Sequence, residues 1–162
     1  MSTRTDVPWL TAEEQHLWRG WLRLNAQLSA ALQREMQEDS GLSSSDFEVL
    51  VNLTDNADGR IRVSDLATQL LWGRSRVSHH VTRMEGRGLV CRAGCAEDGR
   101  GAWVAITPAG RSAIERAAPE YVLAVRRLVF DALSAQDVAT MSSLVDRLQA
   151  QLDEGASPCS LS

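Results

Sequence analysis

Apolar residues in the first quarter of the chain recur at helical spacing. Leu17, Trp21, Leu24, Leu28, Ala31 and Leu32 fall three or four positions apart, which puts one apolar stripe on an α-helix. Thr11-Ala-Glu-Glu14 precedes them as a capping box, with Thr11 accepting from a first-turn amide and Glu14 reaching back. The pattern predicts a long amphipathic helix that ends near Asp39-Ser40-Gly41. A second helix starts at Ser43-Ser44-Ser45-Asp46 and carries Phe47, Leu50, Val51 and Thr54 on one side. Asp55 to Gly59 reads as a turn, and Arg60 to Val63 as a short β-like entry to a third helix, Ser64 to about Leu71.

Gly73 interrupts the chain, and a fourth helix is expected from Arg74 to about Arg87, closed by Gly88. Leu89 to Cys95 and Ala102 to Ile106 read as two strands, joined by the hairpin loop Ala96 to Gly101. Thr107-Pro108 is an N-cap followed by proline at the first helical position. The fifth helix is expected to reach about Leu133, kinked at Pro119. The sixth starts at Ser134 to Asp137 and presents Val138, Met141, Leu144, Val145, Leu148 and Leu152 on one face. Helix three, a short turn, helix four and a hairpin make a winged helix-turn-helix. The fold class is therefore mainly α with a small β-hairpin wing (α+β), the DNA-binding lobe spanning about 43–106. Helices 11–39 and 108–153 are too few to close a bundle and are expected to pair with a second copy. One domain over 11–154, with flexible tails at 1–10 and 155–162, follows from this order.

Composition adjusts the picture at one point. The chain has 162 residues and a formal net charge of −4, which at face value disfavours a polyanionic partner. By segment the balance differs: residues 1–59 carry −6, residues 60–111 carry +5 and residues 112–162 carry −3. The basic segment holds the third and fourth helices and the hairpin. No apolar run is long enough for a membrane span, and no signal-peptide pattern opens the sequence, so a cytoplasmic protein is expected.

At about 100° per residue, Val77, Val81 and Met84 share the inward face of the fourth helix. Ser75, Arg76, His79, Thr82 and Arg83 lie on the outward side. A solvated helix face is the competing reading of such residues. The lack of any acid from Arg74 to Met84, directly after a helix-turn-helix, favours double-stranded DNA. Arg suits guanine edges, and Ser, Thr and His can reach bases or phosphates. His79 and His80 point about 100° apart and cannot chelate one metal together, and His80 is placed beside the core. No metal site, cofactor or enzyme is expected, because no HExxH, GxSxG or phosphate-binding glycine loop occurs. The loop Asp98-Gly-Arg-Gly101 offers one Arg, which reads equally as a minor-groove probe or as an ordinary glycine turn.

Several of these residues resemble one family. Asp98-Gly-Arg100, five residues and then Ile106-Thr107 is similar to the DxRxxxxxLT wing signature of MarR-type winged-helix regulators, with Ile106 where Leu is usual. Leu66-Ala67, the run Arg83 to Val90, and Thr107-Pro-Ala-Gly110 are similar to the same family. Leu71 stands where a glycine is frequent in the helix-turn-helix turn, and Gly73 where Ser or Thr is usual. The resemblance spans about residues 12–153. It implies a homodimer with intertwined terminal helices that binds a pseudo-palindromic operator, commonly as a repressor released by a small effector. It also implies that Asp98 orients Arg100 for the minor groove. On the recognition helix it places Arg76, Ser78, His79 and Arg83 toward the major groove, within a DNA-binding set that includes Arg74, Ser75 and Thr82.

In such proteins effectors bind near the first helix, so Trp18, Trp21, Arg23 and Asn25 are candidates for a pocket that takes a small aromatic or acidic molecule. The competing and favoured reading makes Trp18 and Trp21 packing residues of the dimer. Cys91 and Cys95, four residues apart on a strand, are separated by about 13 Å, beyond disulfide reach. Their alternation with Ala93 fits a buried strand face, and Cys159 lies outside any motif. A cysteine-based redox response is therefore a minor alternative. A winged helix used for protein interaction without DNA reading is the other, and the basic segment argues against it.

Overall fold

The structure is a computed structural model that describes residues 7–93 and 102–156. The element order is α1 (Ala12–Ser40), α2 (Ser44–Asp55), β1 (Arg60–Arg62), α3 (Val63–Gln69), α4 (Arg74–Gly86), β2 (Val90–Ala93), β3 (Trp103–Ile106), α5 (Pro108–Leu128), a 3-10 turn (Phe130–Ala132) and α6 (Ala135–Ala156). This is the expected mainly α fold with a small antiparallel sheet. Two compact units divide the chain between Tyr121 and Val122.

The predicted capping box at Thr11 forms, and a second one opens α2. Thr11 accepts from the Glu14 amide at 3.2 Å, and Glu14 accepts from the Thr11 amide at 2.7 Å. Ser43 and Asp46 exchange the same pair of bonds at 3.1 and 2.9 Å. Each box satisfies two of the amides that a helix start leaves unpaired.

The first unit packs α2, α3, α4 and the sheet around Leu50, Leu53, Leu66, Val77, Val81, Met84 and Val104. The sheet order is β1-β3-β2. Ile61 pairs with Val104 and both are buried, so their face of the sheet meets the core. Arg60, Arg62 and Trp103 belong to the opposite face, where the two guanidinium carbons lie 5.2 and 4.9 Å from the Trp103 ring centroid. Gly110, in the first turn of α5, lies so close to Leu89 that a Cβ there would collide with the Leu89 carbonyl. Thr107 caps this turn, donating to Gly88 O at 2.6 Å and accepting from the Gly110 amide at 3.0 Å.

In the second unit, α6 carries the expected apolar row, with Val138 half-buried and Met141, Leu144, Val145, Leu148 and Leu152 exposed. No helix among the described residues is long and apolar enough to cross a membrane.

Several boundaries and faces differ from expectation. The buried face of α2 is Phe47, Val49, Leu50 and Leu53, while Val51 and Thr54 are only half-buried. Here α2 is covered on more than one side, so a single stripe under-counts its core. Pro119 lies inside α5, and that helix ends at Leu128, not near Leu133. The short β-like segment expected at Arg60 to Val63 does form, as the strand Arg60–Arg62 paired with β3. Cys91 is exposed, because its position shares the outer sheet face with Arg60 and Ala105; the buried-face reading is wrong for it. α6 continues through Gly155 to Ala156, into the expected C-terminal tail. Residues 7–10 of the expected N-terminal tail are exposed and outside any helix or strand, while 1–6 and 157–162, the hairpin tip with Asp98 and Arg100, and Cys95 and Cys159 lie outside the described residues.

Candidate nucleic-acid interface

The turn between α3 and α4 is built without glycine. Leu71 adopts φ 53, a left-handed conformation that costs an L side chain about 1–2 kcal/mol, and its side chain is 92% exposed. The turn is held by the Trp72 amide donating to Ala67 O at 2.9 Å. Gly73 is the N-cap of α4 and offers no side-chain cap, and the first turn of α4 contains no acid. Its leading amides therefore remain available to an anion from solvent.

Val77, His80, Val81 and Met84 form the buried face of α4, as the wheel predicts. Arg74, Ser75, Arg76, His79, Thr82 and Arg83 are exposed, and Ser78 is half-buried. The outward residues thus share one surface, but what already holds them differs. Thr82 donates its hydroxyl to Ser78 O at 2.9 Å and accepts from Arg92 Nη2 at 2.8 Å. The same Arg92 nitrogen reaches Ser78 O at 3.2 Å, and the Arg92 guanidinium lies 3.5 Å from Glu85. Arg92 is a strand residue that links β2 to α4. Sequence reading missed it, since its position on the α4-facing side of the sheet follows from the Arg92–Val104 pairing.

A second group fixes α4 from beneath. Asp46, at the start of α2, is buried and accepts from Arg87 Nη1 at 2.6 Å. Arg87 also donates to Gly41 O, the left-handed C-cap of α1, at 3.0 Å. His80 Nε2 stands 3.0 Å from Asp46 Oδ1, close but short of hydrogen-bond alignment. On the other side of the ring, Arg83 Nη2 is 2.8 Å from His80 Nδ1. A guanidinium has only donors, so Nδ1 is the acceptor and the ring proton sits on Nε2, toward Asp46. Burial pushes the Asp46 carboxyl upward. His80, the Ser43 amide, Arg87 and the Ser43 hydroxyl outweigh it and hold the group well below the usual carboxylate range.

Trp72 completes the surface. Its ring meets His80 edge-on at 5.4 Å, and the Arg76 guanidinium carbon lies 4.0 Å over its face. Sequence reading treated Arg76 as an outward cation and left Trp72 unassigned. Trp72 precedes the N-cap Gly73, so the contact comes from the turn between α3 and α4 and no helical spacing signals it.

The four candidate effector-pocket residues, Trp18, Trp21, Arg23 and Asn25, are all exposed on α1. Asn25 Nδ2 donates to Trp21 O at 2.9 Å. A small cavity of the first unit, lined by Glu35, Met36, Ser40, Ala117, Glu120 and Tyr121, contains none of the four. Among the described residues no three His, Cys, Asp or Glu side chains group as metal ligands.

These elements define a winged helix-turn-helix module whose fourth helix presents an acid-free, arginine-bearing face. The model of the MarR family matches residues 40–101. AbsC, a MarR family transcriptional regulator from Streptomyces coelicolor, is 36% identical, with 91% of this chain and 99% of that one covered and a TM-score of 0.85. Sco3205, a MarR family transcriptional regulator from the same organism solved in complex with DNA, is 34% identical, covering 96% and 95%, with a TM-score of 0.84. A mutant MarR from E. coli, complexed with operator DNA, shares the fold at 22% identity and a TM-score of 0.75, with 86% and 98% covered. No curated protein sequence matches the chain. The chain belongs to the MarR family of transcriptional regulators.

Proposed function

We propose that this MarR-family regulator binds a pseudo-palindromic operator as a homodimer, one α4 helix entering the major groove of each half-site. The observation that carries the reading is the outward face of α4, where cationic and short polar side chains run from Arg74 to Arg83 without an acid. Neutralising phosphates with arginine releases counterions, and base edges supply sequence preference. Two half-sites one helical turn apart, about 34–36 Å, are the geometry a two-fold dimer demands.

Pairing is supported by the apolar rows on α1 and α6. Leu17 is 70% exposed, Trp18 54% and Leu148 58%, and such rows need a partner to leave water. On this reading Trp18 and Trp21 are dimer packing. With Arg23 and Asn25 they also form the candidate wall of a pocket for a small aromatic or acidic effector, completed by the second copy. Asp98 and Arg100 keep the wing role that their sequence motif implies, with Arg100 in the minor groove. Repression of transcription in the cytoplasm is the output that fits.

Arg100→Ala tests the arrangement. It is expected to weaken binding to a duplex selected by the wild-type protein while sedimentation still shows a dimer. Dissociation of the dimer by this substitution would overturn the wing assignment.

A further inference from the structure

The outward cations of α4 are not equivalent. Arg83 serves the buried His80, and drawing it away leaves an imidazole nitrogen without its donor. Thr82 is occupied by Arg92 and Ser78. Arg74 is exposed at the first position of α4, and among the described residues no ring, hydrogen bond or ion pair fixes its direction. Arg76 differs from all three. Its guanidinium is stacked on Trp72, and among the described residues it has no hydrogen bond or ion pair. Stacking engages the flat face of a guanidinium and leaves its in-plane N–H edge for a ligand.

We propose that Arg76 sets the base preference of this regulator by reading one guanine in each half-site, and that Trp72 is its positioning residue. The inference rests on the DNA-reading function proposed above. Guanine offers O6 and N7 side by side in the major groove, and a guanidinium edge matches them with two parallel bonds. Arg76 is the third residue of α4, in the part of a recognition helix that meets base edges. Trp72 is itself fixed: it packs half-buried against the core, its amide is bonded to Ala67 O, and its ring abuts His80. The Trp72 contact restricts the rotamers of Arg76 before binding, which favours one bound geometry.

The test is selection from a pool of random-sequence duplexes with the full-length protein, comparing wild type, Arg76→Ala, Trp72→Phe and Trp72→Met. Wild type should select a motif with a guanine in each half-site. Arg76→Ala should lose that preference, about tenfold or more in relative affinity, while the other positions keep theirs. Trp72→Phe, which keeps an aromatic face, should retain the guanine. Trp72→Met should lose discrimination at that position and at no other, a pattern that general loss of folding does not produce. A guanine preference that survives in Arg76→Ala, or a uniform loss across all positions, would overturn the inference and leave DNA reading intact. A wild-type protein that selects no motif would overturn both.

Discussion

Asp46→Asn is the substitution that most directly probes how α4 is held. The change keeps the size of the side chain and removes its charge. In the native protein one carboxylate accepts from Arg87 at 2.6 Å and from the Ser43 amide at 2.9 Å, and faces His80 Nε2 at 3.0 Å. Breaking a fully buried ion pair by removing one partner costs about 3–5 kcal/mol. Arg87 is 47% exposed and can regain water, which lowers the cost. The amide oxygen of Asn can still accept from Ser43, so most of the cap, worth about 1 kcal/mol, survives. A loss of about 2–4 kcal/mol remains. Urea unfolding at neutral pH and one fixed protein concentration should show it as a midpoint lower by on the order of 1 M or more. The pH dependence has a definite sign. A carboxyl held below its ordinary value stabilises the fold fully above the unfolded pKa, about 4, and loses that contribution as pH falls toward the folded value. Wild type should therefore weaken below about pH 4 more steeply than Asp46→Asn. A variant within about 0.5 kcal/mol of wild type at neutral pH, the range of ordinary surface changes, would show that the Asp46 charge does not hold α4.

Two further substitutions follow from the backbone. Leu71→Gly removes a left-handed strain of about 1–2 kcal/mol and loses no packing, offset by about 0.4–1 kcal/mol of unfolded-chain entropy, so thermal stability should hold or rise slightly. Leu71→Val should lower it, since a β-branched residue tolerates positive φ worst. Gly110→Ala sets a methyl against the Leu89 carbonyl and should cost about 1–3 kcal/mol by the same unfolding assay; an unchanged midpoint would show that the start of α5 can shift freely.

What the sequence made legible was what neighbouring residues decide. Thr11 with Glu14, and Ser43 with Asp46, announce their helices because a capping box closes within four residues. The wheel of α4 separates Val77, Val81 and Met84 from the outward residues and places His80 beside the core. Features made by distant pairings were hidden. The Asp46–Arg87 bond joins residues 41 positions apart, and no local pattern marks it. Arg60 to Val63 reads as β-like, but its pairing with β3 does not show in the sequence, and that pairing gathers both arginines over Trp103. Arg92 and Cys91 were misjudged or overlooked for one reason. With the sheet register unknown, alternation along β2 does not say which face meets α4. The wing residues Asp98 and Arg100 rest on their motif, outside the described residues.

A chain of net charge −4 that binds a polyanion must do so through its basic segment. The most direct measurement is fluorescence anisotropy of a labelled duplex carrying the selected operator, titrated with the wild-type protein at several salt concentrations. Two protomers per operator are expected, with an affinity that falls about 10³-fold or more between about 50 and 200 mM salt, as six or more phosphate contacts require. Affinity that stays flat across that range, or one protomer per duplex, would contradict it.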